Sequence, residues 1–196
     1  MAVYKSFRGC VVAGGRLDVF VPETVDSTNW KHWKANLDAK SCEACRERHG
    51  KIYGMREIPV PEPPLHPNCR CTIEAMQAVA AGEASKEGKN GADWWILNWG
   101  SLPSYYLTET EFRLLGWDNG RSPIMYAQGM MMTRETYSNK NGHLPDAAGR
   151  LWYEADLNYY SGKRNGHRLL WSNDGLIFVT YDHYRTFIEV IGGSKF

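Results

Sequence analysis

No cysteine follows position 71; the five are Cys10, Cys42, Cys45, Cys69 and Cys71. An odd count gathered toward one end argues against a disulfide framework. It fits a small metal-bound or redox-active nodule followed by a cysteine-free domain. Long apolar runs are also missing, and none approaches the ~20 residues of a membrane helix. The stretch from Met1 to Cys10 has no clean secretory apolar core, so export by the usual signal-peptide route is not expected. Charge of one sign is not in excess: 23 Lys plus Arg face 22 Asp plus Glu, a net +1. No global basic field marks a nucleic-acid binder, although local patches stay open. What is present is core material, 43% apolar and 13% aromatic in 196 residues. That excludes a mostly disordered chain and suits one or two domains.

Four stretches are expected. Residues 1–37 form an uncertain N-terminal segment, with two short strands around a turn in 11–21. A helix over 26–37 follows, capped by Asp26 or Ser27, with Trp30, Trp33 and Leu37 on one stripe. Residues 38–75 hold the Cys/His nodule, where Pro59, Pro61, Pro63, Pro64 and Pro67 forbid a long helix. Residues 76–90, small and polar, read as a linker. Residues 91–196 form the main domain. There, 92–99 reads as an amphipathic helix stopped before Pro103. Thr108-Glu109-Thr110-Glu111 is a capping box for a second helix, and Gly116 suits its end. Met125, Met130, Met131 and Met132 read as core or loop packing.

After Gly142 the period changes to two. Trp152, Glu154, Asp156 and Asn158 alternate with Tyr153, Ala155, Leu157 and Tyr159. Residues 168–171 and 176–180 are strands across the turn Ser172-Asn173-Asp174-Gly175, and 185–191 gives another. The fold class is therefore α+β, with N-terminal helices packed on a C-terminal antiparallel sheet and a small metal-binding nodule before it.

By periodicity alone Glu154 lies on a solvated sheet face closed by ion pairs, His183 is a surface loop residue, and Arg164 and Arg168 are surface charge. Together they also make a chemical set. A partly desolvated carboxylate takes a proton, a histidine gives one to a leaving oxygen, and arginines hold a phosphoryl group.

The wording of the sequence is more specific than its periods. It contains Leu102-Pro103-Ser104-Tyr105-Tyr106-Leu107-Thr108, Gly142-His143-Leu144-Pro145 and Gly149-Arg150-Leu151-Trp152-Tyr153-Glu154-Ala155-Asp156-Leu157-Asn158-Tyr159. Then come Arg164-Asn165, Ser172-Asn173-Asp174-Gly175 and Thr180-Tyr181-Asp182-His183-Tyr184-Arg185-Thr186-Phe187. In this order, residues 91–191 resemble the barnase family of small bacterial guanyl-preferring ribonucleases. The resemblance implies the microbial ribonuclease fold, with Glu154 as general base and His183 as general acid. It implies Arg168 and Arg164 as phosphate-holding groups, Tyr184 beside the substrate, and Asp156 ordering the arginines. Ser138, Asn139, Lys140 and Asn141 fall on the base-reading loop. The implied reaction cleaves single-stranded RNA through the substrate's own 2′-hydroxyl to a 2′,3′-cyclic phosphate, with no cofactor for catalysis. DNA, lacking that hydroxyl, is not a substrate.

Two positions depart from the family pattern. A family lysine is replaced by Glu109, and Arg113, one turn later, is the expected substitute. A family glutamate that accepts from guanine is replaced by Asn141, a weaker acceptor, which implies relaxed guanine preference.

Cys42-Glu43-Ala44-Cys45 followed by His66-Pro67-Asn68-Cys69-Arg70-Cys71 is a zinc-type spacing. Zinc, disulfides and free thiols are the three readings; structural zinc held by four of Cys42, Cys45, His66, Cys69 and Cys71 leads. Residues 38–75 also resemble the end of phage Mu-type head-morphogenesis minor capsid proteins, through Cys42-x-x-Cys45, Gly50-Lys51-x-Tyr53 and Pro64-Leu65-His66-Pro67-Asn68-Cys69-Arg70-Cys71. A phage-derived carrier segment on a nuclease implies a polymorphic or prophage-associated toxin. Such a toxin acts in a target cell's cytoplasm, after secretion or delivery by a route without a visible signal, and has a barstar-like immunity protein. The competing expectation is a catalytically impaired RNA-binding or phage structural protein.

Overall fold

A computed structural model describes residues 22–119, 121–159 and 162–193. Cys10 and the strands expected in 11–21 lie outside the described residues. The elements run β1 (Val25–Lys34), α1 (Glu43–Arg48), β2 (Ile52–Gly54), β3 (Thr72–Ala80), α2 (Ala92–Trp99), β4 (Tyr106–Thr108) and α3 (Glu109–Leu114). They continue with β5 (Met131–Tyr137), β6 (Trp152–Asp156), β7 (Arg168–Ser172), β8 (Ile177–Thr180) and β9 (Ile188–Ile191). All nine strands described join one sheet in the order β2-β1-β3-β9-β8-β7-β6-β5-β4. The fold is α+β, but the sheet is mixed rather than antiparallel. β3 runs parallel to β9, and β4 parallel to β5. No helix among the described residues is long and apolar enough to cross a membrane.

Two expectations for the N-terminal half are corrected. The helix over 26–37 is instead the strand β1, paired with both β2 and β3. Its would-be stripe does not share an environment: Trp33 is fully buried, whereas Leu37 is 53% exposed. Ser27 also draws the backbone away from a helix. Its Oγ accepts from the N–H groups of Asn29 and Trp30, and donates to buried Glu189 on β9 at 2.6 Å.

Residues 76–90 are not a linker either. β3 reaches Ala80 inside the sheet, and Met76, Ala78, Val79, Ala81 and Ala84 are buried. The small residues that suggest flexibility permit close packing. Gly82, at φ +92°, lies so near Gly88 that a Cβ would sit 2.9 Å from its backbone. The turn is tied to α2 through buried Asp93, which accepts from the N–H of Gly82 (2.6 Å) and Ala84 (3.1 Å) and from Ser85 Oγ (2.6 Å).

Helix α2 spans the expected residues and ends on Gly100 in the left-handed region. The Thr108/Glu111 capping box forms at α3. Both faces of the central sheet are covered. Val79, Leu157, Leu169, Val179 and Val190 pack against Ile96 of α2. On the other face lie Ile52, Met76, Trp152, Leu170, Phe178 and Phe187. Neighbours such as Leu169 and Leu170 thus enter opposite cores, as strand alternation requires. Met131 and Met132 are buried in β5, while Met125 is 73% exposed.

Candidate active site and metal centre

β6 and β7 pair with Glu154 opposite Leu170 and Asp156 opposite Arg168, and Arg168 in turn faces Thr180 on β8. Asp156, Arg168 and Thr180 therefore form a row across three strands. Glu154 shares the face of Trp152 one step along. That face is covered, not solvated: Glu154 is 4% exposed and Asp156 fully buried. The polar alternation in this strand marks buried, paired carboxylates rather than an open surface.

Asp156 holds two arginines. Arg164 donates through Nε (2.7 Å) and Nη2 (2.5 Å), and Arg168 Nε lies 3.3 Å from the same carboxylate. Arg168 is itself buried, and its Nη1 donates to the carbonyls of Asn165 (2.8 Å) and His167 (2.6 Å). A buried guanidinium fixed on one side by backbone and on another by a carboxylate is preorganised for an anion.

His183 and Tyr184 follow Thr180 in a loop that returns to this row. Both have left-handed backbone, at φ 60° and 68°, a conformation costly for side chains with a Cβ. Asp182 holds the loop there. Its Oδ1 accepts from Thr180 Oγ1 and the N–H groups of Arg185 and Thr186; its Oδ2 accepts from Thr186 Oγ1. The His183 N–H donates to the Gly166 carbonyl at 3.2 Å. A Cβ on Gly166 would stand 3.2 Å from the Cβ of His183, so the missing side chain lets the two loops meet.

Tyr184 joins the two acid–base candidates. Its hydroxyl donates to Glu154 Oε2 at 2.9 Å, and its ring lies 4.7 Å from that of His183, centroid to centroid. Burial and the adjacent Glu154 charge push the Tyr184 phenol well up, so it remains a donor at neutral pH. Burial, then the charges of Arg168 and Arg164, push the His183 imidazole down. Glu154 opposes them, and Arg134 adds to the lowering.

Arg134 and Asp182 were not singled out from sequence. Arg134 is the extra residue of a β-bulge between Thr133 and Glu135, where the β5 register against Ala155 and Glu154 shifts. Thr133 Oγ1 sets the bulge, donating to the Glu154 carbonyl (2.8 Å) and accepting from the Glu135 N–H (3.1 Å). Glu109 then reaches Arg134 Nε at 3.3 Å. Arg113, the expected substitute cation, is engaged otherwise. It binds Glu109 at 2.7 Å and Asn119 at 3.2 Å, and lies over the Trp117 ring. Arg134 is a cation from this side whose charge reaches His183.

The loop carrying Ser138, Asn139, Lys140 and Asn141 is joined to the same centre, because Tyr137 stacks on Tyr184 at 5.3 Å. Asn139, at φ 43°, closes the loop by exchanging side-chain bonds with the backbone of Leu144, at 3.0 and 3.1 Å. Asn141 Oδ1 accepts from the His143 N–H at 3.3 Å. Ser138, Lys140 and Asn141 are exposed.

The second centre lies between α1 and residues 66–71. Cys42, Cys45 and His66 form one cluster of donor atoms; Cys45, Cys69 and Cys71 form another sharing Cys45. His66 Nε2 lies 3.2 Å from Cys42 Sγ and 3.4 Å from Cys45 Sγ, and Cys45 Sγ is 3.7 Å from Cys69 Sγ. A tetrahedral ion with zinc-like bonds sets S···S edges of about 3.8 Å and S···N edges of about 3.6 Å. The Cys/His cluster can therefore chelate a metal. His66 Nδ1 bonds the Pro67 carbonyl at 2.9 Å, which aims Nε2 inward. Burial opposes ionisation of the Cys69 thiol, but the amides of Cys71 and Leu65 bring it to about 7.

The segment bearing this centre touches the other site. His143 donates from Nε2 to the Glu47 carbonyl at 2.8 Å, and the Ile52 N–H donates to the His143 carbonyl at 2.8 Å. Gly50, at φ +82°, packs so closely on the loop that carries His183 that a Cβ would lie 2.0 Å from the Arg185 carbonyl oxygen.

A carboxylate and an imidazole meeting on one tyrosine beside two anchored guanidinium groups can exchange protons next to a bound anion. The chain belongs to the ribonuclease family, whose family model matches residues 66–191. That match begins before β3, in keeping with a sheet that continues through β3. A ribonuclease of Heyndrickxia coagulans is 40% identical over 97 residues, covering 49% of this chain and 89% of that protein. Ribonucleases of Bacillus intermedius and Bacillus pumilus show the same identity over 97 residues, and the match spans 60% of their length. Residues 4–74 are similar to the Phage Mu protein F like protein family.

Proposed function

We propose that this protein is a barnase-like endoribonuclease that cleaves single-stranded RNA by 2′-hydroxyl transesterification. The carrying observation is the shared contact of Glu154 and His183 with Tyr184 beside Arg168 and Arg164. Tyr184 occupies one oxygen of Glu154 and leaves the other to take the 2′-hydroxyl proton. The freed oxygen attacks the adjacent phosphorus. His183 donates its proton to the departing 5′-oxygen, giving a 2′,3′-cyclic phosphate, and reversed roles let water open it. Arg168 and Arg164 stabilise the charge gathering on the phosphoryl oxygens, and Arg134 adds a third cation in the place expected of Arg113. The cleavage needs no metal, because these side chains supply proton transfer and charge compensation. Asn141, engaged with its own loop, relaxes guanine preference.

Zinc is the ion that the thiol-rich cluster suits, bound by Cys42, Cys45, His66 and Cys69 in a structural role. The carrier-like N-terminal segment supports a prophage-associated or polymorphic toxin that acts in a target cell's cytoplasm. A barstar-like acidic inhibitor complements the rim cations Arg134, Lys140 and Arg185.

The test is cleavage of a short guanosine-containing RNA in EDTA, with product analysis. Wild type is expected to release a 2′,3′-cyclic end and to leave the matching DNA intact. Glu154→Gln and His183→Gln each reduce the rate by about 10²–10⁴-fold. Wild-type rates in both variants would refute the assignment. Metal content of Cys69→Ser against Cys71→Ser identifies the fourth ligand.

A further inference from the structure

A cleft of about 680 Å³ opens between the metal-chelating segment and the loop that carries His183. Leu37, Asp38, Arg46 and His49 form one wall, and Tyr184 and Arg185 stand on the other. The volume lies within the roughly 300–1,000 Å³ of clefts that take small ligands. Tyr184 is shared with the reacting centre, since its hydroxyl rests on Glu154. The cleft is thus a continuation of the place where the scissile phosphate is held.

Its chemistry suits a nucleotide. Arg46 and Arg185 are exposed cations. The one carboxylate on the walls, Asp38, is already paired with Arg70 through two bonds of 2.7 and 2.8 Å, so the free charge is positive. Arg46 is braced by bonds from Nε to the Ser41 carbonyl and from Nη2 to the Asp38 carbonyl, which fixes its head while Nη1 stays available. His49 Nδ1 accepts from the Ala35 N–H at 3.1 Å, which puts the ring proton on Nε2 as a donor. Leu37 and the Tyr184 ring give apolar surface for a base. Cations interleaved with an aromatic face are what a single-stranded nucleic-acid groove uses.

We infer that this cleft binds a nucleotide adjoining the pair at the scissile bond, so that the N-terminal segment forms part of the RNA-binding surface. The inference rests on the ribonuclease reading above. Its test uses the full, metal-loaded chain and two variants on opposite walls, Leu37→Asp and Arg185→Ala. Substrates are a guanylyl dinucleoside monophosphate and tetranucleotides extended on the 5′ or the 3′ side. Binding of a 2′-deoxy tetranucleotide is followed by fluorescence anisotropy, which requires no cleavage. In both variants kcat/KM on the dinucleotide stays within about twofold, while one tetranucleotide loses about 5- to 10-fold. Kd for the deoxy tetranucleotide weakens in parallel, and Arg185→Ala flattens its log–log salt dependence by about 0.7. The extension that loses its advantage identifies the side occupied. Equal loss on short and long substrates, or no loss on either, overturns the inference. A wild type that binds the deoxy tetranucleotide but cleaves no dinucleotide refutes the catalytic reading alone; the variants' Kd values still decide the cleft.

Discussion

Arg134 stands at a position that ordinary strand pairing would not provide. The bulge adds one residue opposite Glu154, and Thr133 fixes it through bonds on both sides. Glu109, an anion where the resemblance calls for a cation, thereby becomes the tether of a different cation. Because Arg134 lowers the proton affinity of His183, Arg134→Gln raises it. The proposed general acid must be protonated, so the basic limb of the kcat/KM–pH profile shifts upward in the variant. The rate at low pH falls by about 10-fold, less than for a buried donor because water screens this side chain. A pH–rate profile with an NMR titration of His183 checks both effects; Arg113→Gln is expected to move neither. Gly166→Ala tests fit instead of charge. A methyl 3.2 Å from the His183 Cβ forces the His183 loop outward and is expected to lower kcat with little change in fold, as stopped-flow rates and circular dichroism would show. Glu154, His183, Arg164 and Arg168 were legible as candidates because their neighbours in the chain carry a distinctive wording. Arg134 was not, because its role depends on a register shift between strands.

At the scale of elements, the strand β3 links what reads as two separate segments. Its central position, between β1 and β9, explains why residues 76–90 looked like a linker: a parallel partner more than a hundred residues away leaves no local period to read. β1 was hidden differently: its antiparallel partners are not joined to it by short turns, since β2 lies inside the nodule and β3 follows it. β6, β7 and β8 were legible because antiparallel neighbours with short turns carry their own pattern. The union has a consequence at Gly50. Gly50→Ala meets both a left-handed backbone and the Arg185 carbonyl, so α1 and β2 separate from the His183 loop. Faster amide exchange at Ile52, whose N–H bonds His143, is the expected result, with weaker binding of long RNA. Removal of the metal proposed for the Cys/His cluster acts on the same joint from the other side. Trp33, Ala35, Cys45 and Tyr53 make only a small core. A strong chelator is expected to lower the thermal midpoint by several degrees and to make Cys45, buried in the folded chain, reactive to thiol reagents, whereas chelation leaves the dinucleotide rate within about twofold.

For the whole molecule, near-neutral charge conceals two opposed sets of buried or paired groups. Burial pushes His32, His167 and His183 below their usual range, so the folded chain keeps these rings neutral where the unfolded chain would protonate them. Their folded proton affinity is the lower one. Stability is therefore undiminished by them above about pH 6.5, and it falls as the unfolded state takes up protons below that value. The fall stops once the folded rings protonate too. Carboxylates act in a lower window. Arg150 holds Asp174 down to about 2, Lys34 lowers Glu74, and the Thr108 cap lowers Glu111. These groups contribute above the ordinary carboxylate range and lose that contribution as pH drops through it. Acid should then weaken the fold in two stages, an imidazole stage below about pH 6.5 and a carboxylate stage below about pH 4. Urea unfolding midpoints at closely spaced pH values would resolve the stages. His167→Gln removes one ring from the first stage and leaves the second in place, since Asp174, Glu74 and Glu111 draw their shifts from other partners. A single smooth decline from pH 7 to 3 that His167→Gln does not alter would contradict this division. Because the imidazole of the proposed general acid belongs to the first stage, mild acid couples the charging of the reacting centre to a loosening of the sheet that carries it.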